Sequence, residues 1–574
     1  MKHIKKAAAI LMAVVLSLCL AVTAFAEGTD GTTTGVQKTG TLTVTGSGLW
    51  VPDEGENTGE GKTVTAIRMF TARVTAGDPN KNDGFDTYTL DAAWKNFFTK
   101  DATRFGAVKI AGGITDEQVT ADNITDDELS DAVVAYIKTL ANDESDKGTL
   151  ATFAHNAQKW AREAANHSTL DTAKLISTAM ATSANDTEDV TKDTATFENL
   201  TAGYYLIFPE GGSTGTGNRA TDAIFANVPK SGAKSEVTIK STFPTVDKKV
   251  KADTDADYKN NTSAQVGDTV NFKLTAKVPD MTDYATYKFI FHDTLSNGLA
   301  YNVNSVKVTV AGTEVIKNTA YTVTEPTDSN NELTVTFENL KNIADANTDA
   351  EIVVTYTAKI TKDAVTEKPA ENKVYLEYSN DPSTDSTGKS NPDVSKVYTY
   401  QIDIDKYAIV DSNHKQLAGA TFELKNEKSS TATAINLVKE TSENNSLVYH
   451  IKGTDENEAT TVTSVTTDEK GKITIKGLKA GTYYLYETEA PTGYNKLTKP
   501  VAIVITADEN DPTNFTYKID GKASTAKDAT VPVENIKGTM LPETGSIGTI
   551  GLTALGVLVV LLGVFAPRKK KENH

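Results

Sequence analysis

Apolar and polar residues alternate with a period of two along much of the chain. In residues 269–276, the even-numbered positions are apolar and the odd-numbered positions are polar, which places the two kinds of side chain on opposite faces of a strand. Residues 351–358 form a second strand candidate that is more apolar throughout. Short strands separated by turns rich in Asn, Asp and Gly are typical of β-sandwiches. The pattern therefore predicts a mainly β protein made of tandem immunoglobulin-like β-sandwich domains.

Residues 130–182 depart from this alternation. Within them, the segments 132–138 and 153–165 have the residue pattern of helices. We therefore expect a β-rich N-terminal domain with a helical insertion, followed by domains that are nearly all β.

The N-terminal residues have the three parts of a secretory signal peptide. A basic segment with Lys2, Lys5 and Lys6 precedes an apolar run that ends near Val22, and small residues follow up to Ala26. This order predicts cleavage after Ala26. The alternative, a permanent N-terminal membrane anchor, is disfavoured because the apolar run is short for a membrane span.

The C-terminal residues also have three parts. The pentapeptide comes first, with Leu541, Pro542, Glu543, Thr544 and Gly545. An apolar run at 547–566 is long enough to cross a bilayer, and the basic residues 568–571 would stay on the cytoplasmic side. This combination resembles the LPXTG cell-wall sorting signal. The resemblance implies that a sortase cleaves between Thr544 and Gly545 and transfers the Thr544 carbonyl group to an amine of peptidoglycan or of a neighbouring subunit.

Breaks in composition divide the chain between these two ends. Glycine and polar residues around 232–235 lead to a new strand after Pro244, and the polar, proline-containing stretch 380–392 precedes the strand at 398–407. The predicted parts are the signal peptide (1–26), the N-terminal domain (27–243), the second domain (244–397), the third domain (398–538) and the sorting signal with its membrane segment and basic tail (539–574).

Composition narrows the classes of function. The only cysteine, Cys19, lies in the predicted signal peptide, so the mature protein is expected to have no disulfide bond. The formal net charge of −18 opposes binding to nucleic acid, and we infer no partner from it. Histidine spacing does not suit a metal site, and no Gly-rich phosphate loop is present. We therefore expect neither a cofactor nor a metal, and no enzyme that turns over a substrate.

The third domain contains a lysine, a glutamate and an asparagine at inward-facing strand positions. Lys406 shares a strand face with Ile402 and Ile404, while Glu487 and Asn535 likewise share the parity of apolar neighbours. Burying a lysine is costly, and a strand-end lysine that reaches solvent is the ordinary alternative.

The residues around Glu487 favour the buried arrangement. Residues 483–494 fit the pattern YxLxETxAPxGY at every fixed position, which resembles the E-box of Cna protein B-type domains in Gram-positive pilins and adhesins. The resemblance implies an intramolecular isopeptide bond between Lys406 and Asn535, formed with loss of ammonia and with Glu487 as the catalyst. Burial would lower the pKa of the lysine amine and thereby supply a neutral nucleophile.

The second domain resembles the isopeptide-forming D2 domain of fimbrial subunits, through residues 244–250, the turn 266–268 and the segment 289–295. Lys248 shares the parity of its apolar neighbours, whereas Lys249 points the other way. The resemblance implies Lys248 as the nucleophile, Asp293 as the catalytic acid and Asn372, on the expected last strand of the domain (372–378), as the bonding partner. Asn380 has the same parity as Asn372 and is the alternative partner. All of these could also be ordinary strand-end polar residues.

The N-terminal domain resembles the D1 domain of the same pilins through residues 65–70 and 203–207. Arg68 cannot act as an amine nucleophile, so no internal bond is expected there. Shaft pilins of this kind carry a linking lysine near the end of the domain, where this chain has Thr245 after Phe243 and Pro244. Lys240 is the nearest substitute, or else an ordinary strand lysine.

These resemblances together predict a structural subunit of a sortase-assembled pilus on a Gram-positive cell surface, anchored to the cell wall. Its expected partners are a sortase, peptidoglycan and neighbouring pilin subunits. The alternative is a monomeric wall-anchored adhesin, in which the cross-linked domains form a stalk and the N-terminal domain binds a host or environmental ligand.

Overall fold

The computed structural model describes residues 39–538, except 53–58, 74–86, 141–148, 184–192, 213–222, 229–233, 240, 328, 365–368, 441–446, 454–460, 509–510 and 525–528. Contacts between residues divide the chain into two compact units. The first unit runs to Tyr398, and the second begins at Thr399 and excludes a short segment, Glu509–Pro512.

The first unit begins with the N-terminal segment, residues 39–239. Its strands are β1 Thr39–Gly46, β2 Trp50–Pro52, β3 Gly59–Gly61, β4 Thr63–Arg73, β5 Thr87–Leu90, β6 Ile176–Met180, β7 Asp193–Thr201, β8 Gly203–Pro209, β9 Ile224–Val228 and β10 Lys234–Thr238. A five-stranded sheet has β4 between β5 and β8, and a three-stranded sheet has the order β10-β1-β7. The two segments that resemble a pilin D1 domain, in β4 and β8, pair with each other.

Among the described residues, a 3₁₀ turn at Ala92–Trp94 and five α-helices lie between β5 and β6: α1 Lys95–Thr99, α2 Ala102–Ala111, α3 Asp126–Thr139, α4 Thr149–Arg162 and α5 Ala164–Thr172. Helix α3 begins with a capping box between Thr125 and Glu128, which satisfies backbone N–H groups of the first turn. The predicted helices at 132–138 and 153–165 are confirmed, but the helical part starts earlier and ends at Thr172. Trp94 of a 3₁₀ turn (Ala92–Trp94) and Phe97 and Phe98 of α1 are buried at the helical spacing i, i+3 and i+4, which the sequence analysis did not use.

The first unit continues with the middle segment, residues 241–398. Its strands are β11 Val246–Ala252, β12 Asn261–Ser263, β13 Thr269–Lys277, β14 Phe289–Leu295, β15 Leu299–Tyr301, β16 Lys307–Val310, β17 Thr313–Glu314, β18 Thr322–Thr324, β19 Glu332–Phe337, β20 Glu351–Ile360, β21 Ala370–Ser379, β22 Thr387–Lys389 and β23 Asp393–Tyr398. One sheet has the order β11-β13-β20-β16-β17, and the other has the order β12-β23-β21-β14-β19-β18. The alternation predicted for 269–276 is confirmed, since the apolar residues of β13 are buried.

The second unit also contains two sheets. Its strands are β24 Tyr400–Val410, β25 Asn413–Gln416, β26 Thr421–Lys425, β27 Leu437–Lys439, β28 Leu447–Ile451, β29 Thr461–Val462, β30 Val465–Thr466, β31 Lys472–Leu478, β32 Gly481–Glu489, β33 Val501–Ala507, β34 Phe515–Ile519, β35 Lys522–Ala523 and β36 Thr530–Glu534. One sheet has the order β25-β24-β31-β28-β27-β29 with β36 paired to β24, and the other has the order β30-β26-β32-β33-β34-β35.

The predicted fold class is confirmed: the chain is mainly β, with a helical insertion in its N-terminal segment. One detail needs correction. Strand β21, which carries Asn372, is not the last strand of the middle segment, because β22 and β23 follow it. Among the described residues, no helix is both long and apolar enough to span a membrane.

Candidate functional sites

The middle segment buries Lys248 in the space between its two sheets. Alternation along β11 turns Lys248 inward with Val246 and Val250, and the side chain is 0% exposed. Lys249 points outward and forms an ion pair with Asp247 at 2.5 Å. The prediction of Lys248 as the inward lysine therefore agrees with its position.

Asp293 approaches Lys248 from strand β14 of the opposite sheet. The Lys248 Nζ atom donates a hydrogen bond to Asp293 Oδ2, and the Asp293 side chain is 1% exposed. Burial lowers the pKa of the Lys248 amine, an effect that Asp293 only partly opposes. Burial also raises the pKa of the Asp293 carboxyl group, which Lys248 only partly offsets. Both shifts favour the neutral pair, in which the lysine nitrogen has a free lone pair.

Asn372 enters the same cluster from β21, next to β14 in the second sheet. It is fully buried, and its Oδ1 atom has no hydrogen-bond partner among the described residues. The alternative, Asn380, follows the end of β21, and its Oδ1 atom accepts a hydrogen bond from Ser386 Oγ at 2.6 Å. The structure thus places Asn372, and not Asn380, among the buried residues of this cluster.

Tyr356 is a fourth member of this cluster that the sequence analysis missed. Its hydroxyl group lies 3.2 Å from Lys248 Nζ and donates to Asp293 Oδ1 at 2.9 Å. Asn372 Nδ2 donates a hydrogen bond to the same hydroxyl group. The parity of Tyr356 within the strand predicted at 351–358 was a signal for burial, but it did not identify the three partners.

The second unit has a related cluster around Lys406. Alternation along β24 turns this lysine inward, and β36 lies beside it as a parallel neighbour, with Lys406 opposite Val533. Lys406 Nζ lies 3.4 Å from Glu487 Oε1 and donates to the Val533 carbonyl oxygen at 3.1 Å. Both charged side chains are 0% exposed. Burial lowers the pKa of the Lys406 amine, and Glu487 only partly opposes this effect.

Glu487, on β32, also contacts the predicted asparagine. Its Oε2 atom accepts from Asn535 Nδ2 at 3.0 Å and from the Leu497 backbone N–H at 2.7 Å. Asn535 Nδ2 also donates to the Asn495 carbonyl oxygen at 2.8 Å, while its Oδ1 atom has no partner among the described residues. The two backbone contacts come from the loop after the E-box-like segment and were not predicted.

Both clusters contain the groups needed to join an amine to an amide. The nucleophile is a buried amine with a lowered pKa, the electrophile is an asparagine side chain, and a buried carboxyl group contacts the amine. A dry site of this kind strengthens each polar interaction and keeps competing water away. The arrangement suits a condensation that releases ammonia.

The remaining predicted site residues lie outside the described residues. Arg68, at which no internal bond is expected, lies in β4 and forms an ion pair with Asp91 at 2.9 Å. The proposed linking lysine, Lys240, and the sorting pentapeptide 541–545 lie outside the described residues.

Three segments of the chain match family models. Residues 266–382 match the Gram-positive pilin backbone subunit 2, Cna-B-like domain, and residues 401–521 match the SpaA prealbumin-like fold domain. Residues 534–573 match the LPXTG cell wall anchor motif. The fold and these matches define a cell wall-anchored surface protein built from tandem β domains. More specifically, two of its segments are similar to a Gram-positive pilin backbone domain and to an LPXTG cell wall anchor.

The solved structures to which the chain is similar include three pilins. The 35 kDa C-terminal fragment of the major pilin GBS80 of Streptococcus agalactiae is 26% identical, with 51% of this chain and 100% of that chain covered and a TM-score of 0.37. The T6 backbone pilin of Streptococcus pyogenes is 18% identical, with 88% and 100% covered and a TM-score of 0.41. The major pilin SpaD of Corynebacterium diphtheriae is 19% identical, with 88% and 99% covered and a TM-score of 0.38. The search of curated proteins gave no match.

Proposed function

We propose that this protein is a structural subunit of a sortase-assembled pilus, stabilised by two internal Lys–Asn isopeptide bonds. One observation supports the bonds above all others. In each of the two compact units, a buried lysine amine contacts a buried carboxyl group, and a buried asparagine amide contacts either that carboxyl group or, in the first unit, the tyrosine hydroxyl group bonded to it. The bonded pairs would be Lys248 with Asn372 and Lys406 with Asn535.

The geometry in the second unit suggests how Glu487 acts. One carboxyl oxygen lies 3.4 Å from Lys406 Nζ, and the other accepts from Asn535 Nδ2 at 3.0 Å. As Nζ attacks the Asn535 Cγ atom, the carboxyl group takes a proton from Nζ and gives one to Nδ2, which leaves as ammonia. The new C–N bond replaces the broken one, and Glu487 returns to its starting protonation state. Such general acid–base catalysis contributes about 10²- to 10⁴-fold to a rate.

Each carboxyl group would act once, on its own chain, so the protein is not an enzyme with turnover. The bonds serve mechanics instead. In the second unit, Lys406 and Asn535 lie on β24 and directly after β36, the first and last strands, which are parallel neighbours. A force applied to the two ends would therefore load the covalent bond before the hydrogen bonds of the sheet. In the middle segment, the bond would instead join the two sheets through β11 and β21.

We further propose the predicted domain limits (27–243, 244–397 and 398–538) and attachment through the anchor. A sortase would cleave after Thr544 and join it to peptidoglycan or to Lys240 of a neighbouring subunit. The alternative, a monomeric wall-anchored adhesin, keeps the anchor and the internal bonds but needs no linking lysine.

Intact mass spectrometry of residues 27–544 tests the internal bonds. Each bond removes one ammonia, so we expect a deficit of about 34 Da for two bonds, reduced to about 17 Da by Asn535→Ala after correction for the substitution. The full, unmodified mass would refute both bonds and leave only an anchored pilin-like protein.

Polymerisation needs a separate test in cells. A pilus gives a ladder of covalent oligomers on a denaturing gel, and Lys240→Ala should abolish it while leaving the internal mass deficit intact. A single band from wild-type cells would instead favour the monomeric adhesin. A ladder that survives Lys240→Ala would assign the linkage to another lysine.

A further inference from the structure

The two clusters differ in the reach of their carboxyl groups. In the second unit, the longer side chain of Glu487 contacts both reacting nitrogen atoms, Lys406 Nζ and Asn535 Nδ2. In the middle segment, Asp293 is shorter by one methylene group. Asp293 forms hydrogen bonds with Lys248 Nζ and with the Tyr356 hydroxyl group. Asn372 Nδ2 donates its hydrogen bond to the Tyr356 hydroxyl group as well, and not to Asp293.

Tyr356 therefore lies where the proton path of the middle cluster would otherwise be interrupted. Its hydroxyl group is 3.2 Å from Lys248 Nζ and 2.9 Å from Asp293 Oδ1, and it accepts from Asn372 Nδ2. The ring is fixed by packing, because it stacks on Phe272 with centroids 5.3 Å apart and is 1% exposed.

We propose that Tyr356 is a catalytic residue of the middle cluster, and that its hydroxyl group delivers the proton to the departing nitrogen of Asn372. The proposal rests on the isopeptide formation proposed above. It assigns to Asp293 and Tyr356 together the task that Glu487 performs alone in the second unit.

The step balances in atoms and protons. Lys248 Nζ, as a neutral amine, forms a bond to Asn372 Cγ and passes one proton to Asp293 Oδ2. When Asp293 is protonated at Oδ1, its hydrogen bond with Tyr356 reverses, so that the acid donates to the Tyr356 oxygen and passes its proton along this contact. The tyrosine turns its own O–H toward Nδ2 and passes that proton to it. Nδ2 accepts this proton because it loses its amide conjugation when Cγ becomes tetrahedral. The Cγ–Nδ2 bond then breaks, ammonia leaves, and both catalytic side chains are again neutral.

The electrostatics of the cluster suit this relay. Burial holds the pKa of the Tyr356 phenol well above its usual value, so the group keeps the proton that it must donate. Burial also raises the pKa of the Asp293 carboxyl group, which favours the protonated acid with which the relay begins.

The test follows the mass of the chain 27–544 during a time course after a short pulse of cell-free synthesis. An Asn535→Ala background removes the bond of the second unit, so that the deficit of about 17 Da reports the middle bond alone. Tyr356→Phe removes only the hydroxyl group. We expect it to slow bond formation by about 100-fold, as for the loss of an acid–base group. Tyr375→Phe, a matched change on β21 where the ring stacks on His292, should leave the rate unchanged.

Bond formation in Tyr356→Phe at the parental rate would overturn the relay. If this variant does not fold, as judged by circular dichroism, replacing all tyrosines by 3-fluorotyrosine lowers the phenol pKa with little change in shape. The relay then requires an altered pH dependence of the rate, and an unaltered profile would overturn it. Failure of the proposed function is recognised separately, because the parent itself would then show no mass deficit.

Discussion

Glu487→Gln isolates the chemical role of the carboxyl group in the second unit, because it preserves size and hydrogen-bonding shape. The amide oxygen of the new side chain can still accept from the Leu497 N–H and from Asn535 Nδ2, which in the wild type lie 2.7 and 3.0 Å from Glu487 Oε2. A glutamine cannot exchange protons between the two nitrogen atoms. We therefore expect the second unit to fold without its isopeptide bond.

The cost of the missing bond follows from the chain that it closes. The loop from Lys406 to Asn535 would lose about 5 kcal/mol of stabilisation by the chain-entropy relation for cross-links. Spread over the unfolding entropy of a unit the size of residues 399–538, this corresponds to a melting temperature lower by roughly 15 °C. The loss of the bond should also make the unit sensitive to proteolysis at temperatures where the wild type resists it.

Two measurements check this prediction on the chain 27–544. The intact mass of the variant should correspond to the loss of one ammonia molecule, where the wild type loses two. Calorimetry should show a lower melting temperature for one transition and an unchanged melting temperature for the other. Glu489→Gln is the matched control, since Glu489 lies on the same strand but is exposed. A wild-type mass deficit in Glu487→Gln would refute the catalytic role of the carboxyl group. A lost bond with an unchanged melting temperature would refute the argument from loop closure.

Two further predictions concern the first unit. Asn372→Ala should remove the middle bond and restore about 17 Da after correction for the substitution, whereas Asn380→Ala should not; the opposite result in intact mass would assign the bond to Asn380. His155 and Lys159 of α4 contact Asp283 at 3.2 and 2.7 Å and hold the pKa of that carboxyl group well below its usual range. A lowered folded-state pKa stabilises the folded state above the unfolded pKa of about 4, and this stabilisation is lost as the pH falls below it. The protection factors for amide exchange in α4, which are corrected for the intrinsic pH dependence of exchange, should therefore fall on acidification in the wild type and already be lower at pH 7 in Asp283→Asn; equal protection factors in both proteins at pH 7 would contradict this.

The sequence by itself determined which side chains point inward. Strand alternation placed Lys248 and Lys406 on buried faces. This assignment needs only two facts, that the segment is a strand and that residues of the same parity are apolar. The segment around Glu487 could also be recognised from the sequence, because its pattern consists of consecutive residues. Fold class also followed from local periodicity, although the helical insertion was recognised only where the helical pattern was clear.

Only the tertiary structure decided which inward side chains meet. Asn372 and Asn380 have the same parity, and their separation depends on where β21 ends against its neighbours. Tyr356 had the parity of a core residue, but its three polar partners come from β11, β14 and β21, which lie far apart along the chain. Parity fixes the face of a strand, whereas a contact across a sandwich depends on strand order and register. These are set by the packing of the whole domain, and no local pattern encodes them.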